Sequence, residues 1–379
     1  MSSLRLRAFA AGALVILAIA VPAVRIDASD LGACSLRPSE GDNPENLGAI
    51  LEDADALTPN DVWVVGTHAS GSAGSPWAEH WDGESWQPTP VVVPKASGMT
   101  ALYGVKAFAP DDVWAVGTFT GDDPLVEHWD GTSWTEVRTP AIRGTERILT
   151  AIDGTGPDDL WIVGERRDGG REHGSILHRA GDGWQVVPPP PEAAVLHGVT
   201  IVDGAPVVAG WSIGADGYAR GLVASATPQG TWTTADVGEA RENTFLLSVS
   251  RDPAGAVWAV GFSNRSPDSD TLRTYRGSGT SWTAVPVDAQ QGPARLLDVA
   301  SGEAGTIAVG QTMVNGVNHA LVLRALGDGW TTMPSGSASD APDTLSGVAV
   351  VGADVWAVGR SVVTGGTYGA PVGRIYSCG

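Results

Sequence analysis

From Ile50 onward, apolar or small residues alternate with polar ones over runs of four to seven positions, and each run stops at Gly, Asp, Asn, Ser or Pro. A period of two is that of a β-strand with one face buried, and the stops are turn residues. The runs come in groups. The clearest group reads Leu102-Tyr-Gly-Val105, then Pro110-Asp-Asp-Val-Trp114-Ala-Val-Gly117, then Val126-Glu-His-Trp-Asp-Gly-Thr-Ser-Trp134. The glycine closing its second part recurs at Gly66, Gly117, Gly164, Gly210, Gly261, Gly310 and Gly359, at spacings of 51, 47, 46, 51, 49 and 49. A unit of four short strands repeated at about 50 residues predicts an all-β, seven-bladed β-propeller of four-stranded antiparallel blades.

Tryptophan follows the same period. Trp86, Trp134, Trp184, Trp232, Trp282 and Trp330 open the fourth strand, d, of six units. Trp63, Trp114, Trp161, Trp258 and Trp356 sit in the second strand, b, of five, with Val207 and Ile307 in the other two. Blades splay outward from the axis, and flat side chains burying about 200 Å² each fill the widening gaps. These tryptophans are read as core. The turns Trp81-Asp-Gly-Glu-Ser-Trp86, Trp129-Asp-Gly-Thr-Ser-Trp134, Gly181-Asp-Gly-Trp184 and Gly327-Asp-Gly-Trp330 close hairpins between strands c and d. Asp accepts backbone N–H bonds there and Gly supplies the positive φ.

The Val-Trp-Ala-Val-Gly strand followed by Glu-His-Trp-Asp-Gly-Thr-Ser-Trp resembles kelch repeats and the galactose-oxidase-like propeller. The Asp-Gly hairpin is similar to the Asp-box of sialidase-type propellers. The resemblance spans about 330 residues and departs from kelch in having one Gly, not two, after strand b. It implies the fold and says little of function. Copper-radical chemistry would need a Cys–Tyr thioether, and sialidase chemistry three clustered arginines with a Tyr–Glu pair; neither set assembles from these positions.

The two ends have their own character. Met1–Arg7 is basic, Ala8–Val21 is apolar and Ala20 and Ala23 are small, which reads as a secretory signal peptide over 1–23, cleaved after Ala23 or alternatively after Ala20 or Ala28. The alternatives are an uncleaved N-terminal anchor, or a lipoprotein at Cys34, where Leu31-Gly-Ala-Cys34 forms a lipobox-like sequence. The expected location is extracellular, with no stable membrane insertion after cleavage. Loss of Arg5 and Arg7 with the leader takes the net charge from −20 to −22, a surface that repels nucleic acid. The seventh unit, inside a propeller assigned to 50–379, ends one strand short at Cys378. Residues 24–49 are expected to supply that outer strand, with a Cys34–Cys378 disulfide closing the ring.

Chemistry on such a scaffold belongs to the b–c and d–a connections, which vary in length and share one face. Candidate ligand-binding residues there are His68, Trp77, Asp122, Asp123, Glu165, Arg166, Arg167, Trp211 and His319. Tyr103, Lys106 and His197 on strand a look toward the channel mouth. His80, His128 and His178 share one strand-c position and are read as structural. No Gly-x-Ser-x-Gly, His-Glu-x-x-His or phosphate loop occurs, and no metal or cofactor is expected. The favoured function is a monomeric, non-catalytic module for an extracellular protein or glycan. The alternative is a carbohydrate-active hydrolase or lyase pairing Asp122 with Glu165 or Asp153, which needs carboxylates about 5–10 Å apart.

Overall fold

The computed structural model describes residues 37–38, 49–70, 73–91, 99–119, 123–227, 231–266, 269–287, 292–334, 343–362 and 371–378. Its strands form seven four-stranded antiparallel sheets. In six of them the chain lays down four consecutive strands from the inside out. Blade 2 runs a (Ala101–Ala109), b (Asp112–Phe119), c (Asp123–Trp129) and d (Trp134–Glu136). Blades 1, 3, 4, 5 and 6 occupy 49–88, 145–187, 193–237, 243–284 and 294–332 in the same order. The a strands pack side by side round a closed circle, in which the a strand of the last sheet (Asp343–Val351) meets that of blade 1 (Ala49–Thr58). The expected class, an all-β propeller, is what the chain forms.

The expectation of seven blades, the last closed by a disulfide, is corrected at the last sheet. Only six blades are continuous four-strand units; the seventh sheet is composite, with Asp343–Val351, Asp354–Val362 and Pro371–Cys378 joined by the two-residue strand Arg37–Pro38. No disulfide occurs among the described residues. Arg37 lies opposite Ser377 and Pro38 opposite Tyr376, a register two residues out of step with one setting Cys34 against Cys378. Position 34 itself lies outside the described residues, as do residues 1–23.

The core sits between blades. Trp134 of blade 2 is buried against Trp63, Val65 and Ala78 of blade 1, edge-on to Trp63 with ring centroids 5.9 Å apart, and its indole N–H donates to Thr89 Oγ1 at 3.1 Å. Trp330 repeats this between blades 5 and 6, packing on Trp258 and donating to Thr274 Oγ1. The histidines at the shared strand-c position are structural. In blades 1, 2 and 3 an aspartate opening strand b (Asp61, Asp112, Asp159) binds Nε2 of His80, His128 or His178 at 2.8–2.9 Å. Each imidazole lies over the strand-b tryptophan of its own blade. The Asp-Gly hairpins are also structural: Asp82 Oδ1 accepts from the N–H groups of Glu84 and Ser85, and Gly83 takes a φ of 92°.

The recurrent glycine has a reason that its spacing did not reveal. Every a strand carries a β-bulge directly after a fully buried leucine: Leu51, Leu102, Leu149, Leu196, Leu246, Leu296 and Leu345. The bulge drives the backbone of strand a onto the end of strand b. A Cβ at Gly117 would lie 2.8 Å from Leu102 Cα and closer still to the Ala101 carbonyl oxygen, and the other six glycines meet the same obstacle. Only glycine leaves room.

Candidate functional site

The bulge also aims a side chain. The extra residue has no cross-strand partner and turns toward the axis. The seven residues concerned are Glu52, Tyr103, Thr150, His197, Leu247, Leu297 and Ser346, and all of them line one cavity of about 950 Å³ enclosed by the a strands. The bulges fall near the start of each a strand, on the side where strand b ends. The b–c and d–a connections therefore surround this mouth, while two-residue a–b turns such as Pro59-Asn60 and Pro110-Asp111 lie at the other end. Glu165 and Trp211, each directly after a strand-b glycine, reach the same mouth.

Deeper in the channel are four aspartates, and each serves the fold. The inner edge of strand a presents N–H groups that no further strand can pair. Asp53 accepts from Val105 N–H at 2.9 Å, Asp55 from Ala107, Asp153 from Ile201, and Asp298 from Val348. Each bond runs from one blade to the backbone of the next, satisfying a donor that would otherwise be orphaned. Lys106 bridges two of them, 3.3 Å from Asp55 and 3.5 Å from Asp153. Its ammonium is held well above the usual lysine range, first by Asp55, with burial opposing. Burial raises Asp53 and Asp298, and the charge of Asp298 pushes Asp53 higher still.

The acids at the mouth behave differently. Among the described residues Glu52, Tyr103 and Glu165 make no hydrogen bond and no ion pair. Burial pushes the Glu52 carboxyl up to about 7, with Arg360 acting in the opposite sense. Burial also raises Glu165, and the charge of Glu172 adds to it. Tyr103 is raised by burial and then by the charges of Glu52 and Glu165. His197 donates from Nδ1 to the Leu247 carbonyl at 3.1 Å, and burial lowers its pKa, so the ring stays neutral. It stacks on Trp211 at 6.3 Å; Trp211 meets Phe245 edge-on at 5.1 Å, and Phe245 lies 5.1 Å from Phe262. An acidic arc on blades 1 to 3 thus passes into an aromatic and apolar arc on blades 4 to 6.

Of the residues singled out by sequence, this mouth gathers Glu165 and Trp211, with Tyr103 and His197 beside them. The others lie elsewhere. Trp77 donates to Glu79 Oε1 at 2.7 Å and lies 5.5 Å from His68 within blade 1. Asp123 pairs with Arg147, Arg166 with Asp168, and Arg167 with Glu146 and Glu172, all on the outer rim. His319 faces Thr312 in blade 6, and Asp122 lies outside the described residues. Asp153, once a partner for a hydrolytic pair, is committed to Lys106 and Ile201 N–H. Glu52, Leu247 and Leu297 were missed. Their signal was the position after the repeated leucine, which changes from copy to copy while the leucine before it does not. No group of three or more His, Cys, Asp or Glu side chains able to hold a metal ion occurs among the described residues.

The fold and this site define a β-propeller with a lined central mouth. No family model and no curated protein matches the chain. Solved structures do, at low identity. YCF48 bound to D1 peptide shares 15% identity over 86% of this chain and 93% of that one, with a TM-score of 0.53. An ulvan lyase described as a polysaccharide lyase shares 10% over 92% and 95%, with a TM-score of 0.55. Sqt1 of Chaetomium thermophilum, bound to the N-terminus of ribosomal protein L10, shares 12% over 86% and 87%, with a TM-score of 0.52. At such identities the likeness is one of fold, and nothing in it is specific to kelch repeats.

Proposed function

We propose that the protein is a non-catalytic module that binds a segment of a partner protein at the mouth of its central channel, on the face of the b–c and d–a connections. The observation that supports this is the bulge ring. Around it the leucine, the glycine and the tryptophans repeat, yet its seven positions carry Glu, Tyr, Thr, His, Leu, Leu and Ser. Packing demands sameness from the repeated positions and leaves these free, which suits recognition of an asymmetric ligand by a near-symmetric scaffold. A cavity of about 950 Å³ has room for several side chains of a bound segment. Two of the propellers similar in fold are described with a bound peptide or protein terminus, which is compatible with the same use here. We further propose, on the character of residues 1–23, that the partner is met outside the cell.

The test is selection of random heptapeptides against the purified protein, counter-selected on Tyr103→Ala/Trp211→Ala. Enriched peptides that bind the parent and not the variant support the proposal; peptides that bind both equally, or no enrichment, overturn it. A second reading, carbohydrate cleavage, draws support from Glu52 and Glu165, two carboxyls raised by burial in one cavity. It predicts release of reducing ends or of unsaturated uronate from polysaccharides, abolished in Glu165→Gln.

A further inference from the structure

Seven acids line the cavity, and they divide by what their oxygens do. Asp53, Asp55, Asp153 and Asp298 are consumed by backbone N–H groups of the next blade. Asp252 accepts from the indole of Trp258 at 3.1 Å and pairs with Arg276 at 3.4 Å. Glu52 and Glu165 are the two left over, half-buried, with no hydrogen bond or ion pair among the described residues. Tyr103, on blade 2 between the blades that carry them, lines the same cavity and its hydroxyl is likewise without a hydrogen bond. Burying carboxylates without partners costs several kcal/mol unless something charged completes them. The only described cations among the cavity's residues are Lys106, already bridging Asp55 and Asp153, and Arg251, which pairs with Asp203 at 3.2 Å; Arg360 and Arg167 act on Glu52 and Glu165 from outside the cavity's lining without an ion pair to either.

From this juxtaposition we infer that the mouth is built to take an ammonium group of the partner, a lysine side chain or a free N-terminus, between Glu52, Tyr103 and Glu165, with the neighbouring apolar side chain lying against Trp211 and Leu247. The chemistry fits part by part. Two carboxylates supply charge-assisted acceptors for the three N–H donors of an ammonium. The ring of Tyr103 adds a quadrupole attraction for the same cation. His197 is held neutral by its burial and its bond to the Leu247 carbonyl, so it adds no opposing charge. Leu247 and Leu297, the bulge residues of blades 5 and 6, continue the lining as an apolar wall that a hydrophobic side chain can cover.

The inference rests on the peptide-binding reading, and the test separates the two. Fluorescein-labelled hexapeptides Ala-Ala-Lys-Leu-Phe-Ala are compared with the same peptide carrying acetyl-lysine, using fluorescence polarisation, against the parent protein, Glu52→Gln, Glu165→Gln and Val186→Ala, the last an exposed position on an outer strand. The expected result is a loss of tenfold or more on acetylation, a similar loss in each Gln variant, and no change in Val186→Ala. Circular dichroism of the Gln variants, isosteric with the parent, controls for folding. Should library-selected peptides bind while acetylation and both Gln substitutions leave affinity within twofold, the ammonium site is wrong and the binding module stands. If no peptide binds the parent at all, both fall.

Discussion

Gly117→Ala tests the link between the repeated glycine and the bulge that makes the site. The added methyl would lie 2.8 Å from Leu102 Cα and nearer still to the Ala101 carbonyl, both backbone atoms held by a ladder, so no side chain can swing aside. Relief requires either flattening the bulge or parting strands a and b. Flattening slips Leu102, fully buried, out of its place between blades. Overpacking of this kind costs 1–3 kcal/mol where side chains yield, and about 3 kcal/mol or more is expected where only backbone can move. A loss of about 3 kcal/mol lowers the melting temperature of a chain this long by roughly 4 °C. Gly156→Ala is the matched control: no atom lies within 4 Å of its added methyl and its φ is ordinary, so stability should stay within about 0.5 kcal/mol of the parent. Urea unfolding followed by tryptophan fluorescence measures both. If Gly117→Ala were as silent as Gly156→Ala, the close approach would not be what reserves this position for glycine, and the account of the bulge ring would lose its foundation.

Other expectations follow from single contacts. Trp134→Ala removes an indole buried between blades 1 and 2 and strands the Thr89 hydroxyl, for about 3–5 kcal/mol in the same unfolding assay. Lys106→Met leaves Asp55 and Asp153 without the cation that bridges them; since all three side chains keep some solvent contact, about 2 kcal/mol is expected, less than for a fully buried pair. Glu127 is pushed up to about 7 by burial, and by Glu136 directly opposite it on strand d. Its folded form holds a proton that the unfolded chain releases near 4.5, so its contribution to stability falls as pH rises from there to about 7. Glu127→Gln should therefore melt higher than the parent at pH 8 and indistinguishably from it at pH 4.5, by differential scanning fluorimetry.

The blade pattern was legible because packing repeats. Most interfaces use the same wide residue in the same place, so tryptophan and glycine mark the period even where other residues drift. The Asp-Gly hairpins and the three strand-c histidines were legible for the same reason. The end of the ring was legible only in part: a missing outer strand could be counted, but strand register depends on which side chains face inward, and Arg37–Pro38 is too short to declare it. The site was hardest to see. A bulge leaves no mark in hydropathy, because its extra residue escapes the alternation that reveals a strand, and Glu52 read as one more acid in an acidic chain. Loop residues drew attention instead, yet Arg166 and Arg167 are engaged with neighbouring acids on the rim. The inner aspartates present the reverse case. Asp53, Asp153 and Asp298 have the chemistry of an active site and the bonds of a scaffold.

The central claim is that the bulge ring at the channel mouth is where the partner sits. A library-selected peptide carrying a photoreactive diazirine next to its basic residue, cross-linked to the parent protein and mapped by peptide mass spectrometry, tests it most directly. The account predicts attachment at the bulge positions and their strand-b neighbours, Tyr103, His197 or Trp211 foremost. Attachment on the outer strands, around Val186, or at the a–b turns around Asn60 and Gly204, would contradict it.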